Sequence, residues 1–148
     1  MTDEVDRTSA VGLYHFALSY RACAEQLRER PPKQLLFDAP IRFLFWHAVE
    51  LFLKAYLRSE NVSVKELRTL GHRHATLYRE CIDRGLQLAS PYPAAFFDFA
   101  DDYEPIESRY IVTGYREQMT ALDALSRLCQ ELHEAVRGGL QEKRLPIR

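Results

Sequence analysis

From Ile41 to Arg58 the chain reads IRFLFWHAVELFLKAYLR, a long apolar run without glycine. His47, Glu50, Lys54 and Arg58 interrupt it. At about 100° per residue on a helix, those four positions fall within a stripe roughly 80° wide. A helix that is apolar on its other sides is a central, buried one. The stripe then faces water, a cleft or a partner. Pro40 stands just before the run, in the first turn, where its missing N–H costs little.

The same periodicity predicts the other elements. A first helix runs from about Ser9 to Arg30 and stops at Pro31-Pro32. Its apolar face is read as Leu13, Phe16, Ala17, Tyr20, Cys23, Ala24 and Leu27. Val11, Tyr14 and Leu18 form a weaker second stripe, readable as scattered surface or as a dimer contact. Val64–Leu70 predicts a turn or two of helix, and a further helix follows from His72 or His74 to Arg84. Gly85 is placed to end it. A short helix follows Pro91-Tyr92-Pro93, with Phe96, Phe97 and Phe99 inside. Ser108–Gly114 reads as loop. The last helix spans about Tyr115 to Arg137, with a seam of Leu122, Leu125, Cys129, Leu132 and Val136, and Gly138-Gly139 ends it. Period-two alternation is absent, so the fold class is all-α: one domain over residues 1–148, with 1–8 and 139–148 as mobile tails.

Composition narrows the partners. The 148 residues are 47% hydrophobic and 28% charged, with a net charge of −1. A chain of that balance has no overall electrostatic footprint for nucleic acid or acidic membrane. Charge is uneven locally, with Asp98, Asp101, Asp102, Glu104 and Glu107 close together and a basic excess in the last twelve residues. Cys23, Cys81 and Cys129 lack zinc-site spacing and fit apolar helix faces, as small core residues in a reducing cytosol. No signal peptide or membrane span is read, so the expected location is cytoplasmic.

Three patches resemble the HEPN family of small helical bundles. AVELFLKAYL at 48–57 resembles that family's A-x-E-x-x-LKAYL stretch on its second helix. LGHRHATL at 70–77 is similar to its G-H-x-L-x-x-L helix start. Tyr103 followed by Ser108-Arg109-Tyr110 is similar to its Y…RYP patch. The chain departs from the pattern at His72-Arg73-His74 and at Ile111, where the family often has Pro. The resemblance implies an antiparallel up-and-down bundle of four to five helices, often a homodimer, in a prokaryotic cytoplasm. It also implies an RNA-acting effector or a companion of a small nucleotidyltransferase.

Catalytic members of that family carry Arg and, after four to six residues, His, and cut RNA without metal. The chemistry is intelligible: the RNA 2′-OH is the nucleophile, His moves protons near neutral pH, and Arg neutralises the phosphoryl oxygens. Arg42…His47, Arg68…His74 and Arg127…His133 fit the loose spacing. Helical geometry separates the first pair by about 140° and the last by about 120°. Arg109 stands closest to the family's Arg, and no His follows it within seven residues.

The binding residues expected are therefore His47, Glu50, Lys54, Arg58, His72, Arg109 and Tyr110, with Arg109 pairing Glu50 or the nearby acids. His74 is expected as a core or boundary histidine. The stripe on the central helix reads first as a solvated or inter-helix polar stripe that fixes helix orientation, and only second as the lining of a cleft. No metal and no cofactor are expected: His72 and His74 point apart on one helix, and Asp98, Asp101 and Asp102 lack a further assured ligand. The leading expectation is a non-catalytic helical module that dimerises and binds a protein partner, a nucleotide or RNA. The alternatives are a metal-independent RNase of toxin or antiphage type and a purely structural interaction subunit.

Overall fold

The structure is a computed structural model and describes residues 7–100 and 121–148. Six helices are described, where four or five were expected: α1 (Ala10–Glu29), α2 (Ala39–Ser59), α3 (Val64–Leu70), α4 (His74–Asp83), α5 (Tyr92–Phe99) and α6 (Leu122–Glu142). No strand occurs among the described residues, so the chain is all-α. Tyr103, Arg109, Tyr110, the acids beyond Asp98 and the start of the last helix at Tyr115 lie outside the described residues.

Local signals explain the boundaries. The Ser9 hydroxyl accepts from the Gly12 N–H at 2.9 Å and starts α1. Ser63 does the same for α3 through Glu66. Pro40 lies in the first turn of α2. Gly85 adopts φ 100°, which lets the Leu86 N–H reach back to the Cys81 carbonyl at 3.0 Å and closes α4.

Helix α2 is the centre of the molecule. Residues on every side of it are buried, among them Phe45, Trp46, Val49, Phe52, Leu53 and Leu57. Arg58 reaches Thr8, Phe52 meets Tyr14 and His47 meets Tyr20, so α1 runs antiparallel to α2. Helix α6 runs antiparallel to α1 and parallel to α2: Arg28 meets Asp123, and Lys143 meets Glu60. Helix α4 lies along α2, with the Cys81 thiol 3.3 Å from the Leu53 carbonyl. From α5, Phe96 packs on Trp46 and Phe97 stacks on Tyr78, while Phe99, expected inside, is exposed.

Two expectations about α1 are overturned. Its buried face is Ala10, Tyr14, Ala17 and Ala24, while Phe16 is 64% exposed and Cys23 is exposed. The alanines bring the α1 and α2 backbones close, and Tyr14 fills the remaining space, edge-on to Phe52 with ring centroids 5.9 Å apart. Tyr14 therefore belongs to the core and not to an outer stripe with Val11 and Leu18. Of the three cysteines only Cys81 and Cys129 are core residues, and burial pushes both thiols up, Cys129 to about 12. Helix α6 also continues through Gly138-Gly139 to Glu142, so residues 139–142 form its last turn. Beyond it, Leu145 and Ile147 pack half-buried on the core, and the Arg148 N–H donates to His15 Nε2 at 3.2 Å.

Candidate functional site

The polar edge of α2 organises around one buried carboxylate. Glu50 is 3% exposed. Its Oε1 accepts from His72 Nδ1 at 2.7 Å, and its Oε2 accepts from Lys54 Nζ at 3.4 Å. The Lys54 pair is the i, i+4 neighbour that helical spacing demands. His72 comes from the turn between α3 and α4, which Gly71 makes with φ 63°. Burial pushes the Glu50 carboxyl up, but Lys54, His74 and His72 together hold it below the usual carboxylate range. Glu50 is thus ionised at neutral pH. With Nδ1 donating to Glu50, Nε2 is the remaining polar atom of the half-exposed His72 ring. A carboxylate that fixes the tautomer of an accessible imidazole in this way prepares it to meet a ligand.

The other stripe residues serve differently. The His47 ring stacks on Phe43 at 5.6 Å and meets the edge of Tyr20 at 4.4 Å. Arg58 Nε donates to the Thr8 carbonyl at 3.0 Å and its Nη1 to the Val62 carbonyl at 3.3 Å. It ties the chain entering α1 to the chain leaving α2. His74 is buried, with both ring nitrogens on backbone carbonyls. Arg109 and Tyr110 lie outside the described residues.

Two of the three spaced arginines are engaged away from their histidines. Arg42 Nε donates to Asp38, the residue just before α2, at 2.9 Å. Arg68 is exposed on α3. Arg127 bonds Glu131 at 3.0 Å and lies over the Tyr92 ring, 3.9 Å from its centroid. His133 pairs with an arginine the spacing could not name. Arg21 Nη1 lies 3.0 Å from His133 Nδ1, and Tyr14 Oη lies 2.9 Å from Nε2. A guanidinium only donates, so Nδ1 accepts and Nε2–H donates to Tyr14. Burial, Arg21 and Arg137 each push the His133 proton affinity down, consistent with a neutral ring.

Arg21 also donates to Gln130, and it stands at one end of an open groove of about 590 Å³ between α1 and α6. Several of the charges there are paired across it. Arg28 bridges Glu25 at 3.1 Å and Asp123 at 2.7 Å, and Ser126 donates to Glu25 at 2.5 Å. Among the described residues no group of three His, Cys, Asp or Glu side chains is placed to hold a metal ion.

Fold and site together define an all-α helical protein with a carboxylate–imidazole pair at the edge of its central helix. No described helix is long and apolar enough to cross a membrane. No family model, curated protein or solved structure matches the chain.

Proposed function

We propose that this chain is a HEPN-like antiparallel helical module that dimerises and binds a protein partner, a nucleotide or RNA without cutting it. The observation that carries the reading is the Glu50–His72 pair beside Lys54: a buried carboxylate orienting a half-exposed imidazole on the AVELFLKAYL helix. Support also comes from the engagements of Arg42, Arg127 and His133. Each is held by a partner other than its sequence-spaced mate.

The runner-up is a metal-independent RNase. Its support is an Arg–His contact at 3.0 Å, Arg21 with His133. Both nitrogens of that ring are engaged, by Arg21 and Tyr14, so proton transfer from it requires those bonds to break. That arrangement favours the non-catalytic reading.

The test uses the purified full chain, light scattering, and retention of a single-stranded RNA and of ATP on filters. The reading expects a dimer and retention of at least one probe at about 50 mM salt, with RNA binding weakening steeply toward about 200 mM. His72→Ala should weaken the binding. A monomer that retains neither probe contradicts it. RNA shortening without added metal, abolished by His133→Ala, replaces it with the RNase.

A further inference from the structure

His74 opens α4 and is 1% exposed. Its Nδ1 lies 2.7 Å from the His72 carbonyl oxygen and its Nε2 lies 2.7 Å from the Trp46 carbonyl oxygen. Carbonyl oxygens only accept hydrogen bonds, and a neutral imidazole has a single N–H. In the neutral ring, one nitrogen lone pair would face an oxygen lone pair at 2.7 Å. The imidazolium alone donates at both ends. His133 is the internal contrast: its Nδ1 faces a guanidinium donor, which a protonated ring could not accept.

A buried cation needs a counter-charge. Glu50 is buried, ionised and within electrostatic reach of His74. We infer that His74 is held as an imidazolium in the folded protein and forms with Glu50 a buried, proton-dependent lock that fixes the start of α4 against α2. The inference stands apart from the functional reading above.

Charged and titratable groups surround the lock. From α2 come Glu50 and Lys54, the latter bound to Glu50 at 3.4 Å. From the turn comes His72, bound to the other Glu50 oxygen at 2.7 Å. The neighbouring Arg73 turns its guanidinium to the Leu70 and Thr69 carbonyls. The Trp46 ring meets His74 edge-on at 5.3 Å.

The folded chain keeps a proton that the unfolded chain releases around pH 6.5. The lock therefore contributes its full stability below about pH 6.5 and loses it as pH rises through the folded-state titration. It gives the α3–α4 turn, which carries His72, a sensitivity to alkaline pH.

The test is the ring nitrogen spectrum of the histidine-labelled full chain. At about pH 7.5, where an exposed histidine is mostly neutral, both His74 nitrogens should still carry protons. Its titration midpoint should lie at least about one pH unit above that of an exposed histidine, and Glu50→Gln should lower it. A pyridine-like, unprotonated His74 nitrogen at that pH overturns the proposal. If Glu50→Gln does not fold, the spectrum of the unaltered protein decides alone.

Discussion

Arg21 on α1 and His133 on α6 face one another at 3.0 Å across 112 residues of chain, with the guanidinium donating to Nδ1. The bond fixes His133 as the neutral tautomer whose Nε2–H meets Tyr14. Burial, Arg21 and Arg137 all disfavour a second proton. The unfolded chain therefore binds a proton at His133 more readily than the folded one. The stability this arrangement contributes is complete above about pH 6.5 and declines as pH falls through the depressed folded value. The His74 lock gains stability over the same fall in pH, so the readout is a difference: between about pH 7.5 and 5.5 the urea midpoint of the parent should fall relative to that of His133→Gln.

Gly138 and Gly139 should respond in opposite directions to alanine. A methyl built on Gly139 would lie 2.9 Å from Tyr56 Cε2 and 3.1 Å from Cδ2, inside the contact that side chains tolerate. Overpacking of that kind costs about 1–3 kcal/mol. A methyl at Gly138 meets nothing within 4 Å. There the gain is the helical preference of alanine, roughly 0.5–1 kcal/mol. Thermal unfolding of Gly138→Ala and Gly139→Ala checks both signs.

The two aromatics of α1 should differ just as sharply. Tyr14→Ala opens a cavity in the core and removes the His133 partner, at a cost of about 3–5 kcal/mol. Phe16→Ser changes an exposed side chain and should stay within about 0.5 kcal/mol. Denaturant titration of the two variants measures which face of α1 is inside.

That face was half legible in the sequence: Ala17 and Ala24 were read as inside, Ala10 and Tyr14 were not. Hydrophobic periodicity weights bulk, so Phe16 and Cys23 drew the reading toward the outer side. The buried side is built from Ala10, Ala17 and Ala24, whose value is closeness to α2 rather than apolar area. The α2 helix was legible because its apolar run is long and a single polar stripe marks its edge. The start and stop of α1, α2 and α4 were legible because Ser9, Pro40 and Gly85 act locally. Gly138-Gly139 misled because α6 continues through both, and Gly139 serves the approach of Tyr56 rather than a helix end. Of the site, the Glu50–Lys54 pair was readable from i, i+4 spacing. The Glu50–His72 bond and the Arg21–His133 bond join distant segments, and no spacing rule reaches them.

Loss of the Glu50 carboxylate should expose how much the α2 edge depends on it. Glu50→Gln leaves Lys54, His72 and His74 without their shared anion in a buried place. Breaking one side of such a buried arrangement costs about 3–5 kcal/mol. Urea unfolding at neutral pH reads it, against His47→Ala as a control on the same stripe.

The most direct measurement is a double-mutant cycle on Glu50→Gln and His72→Gln, followed by unfolding free energies of all four proteins. If the polar edge of α2 is organised by the 2.7 Å bond between these residues, the cycle returns a coupling of about 1 kcal/mol or more. Effects that simply add, to within about 0.5 kcal/mol, contradict it.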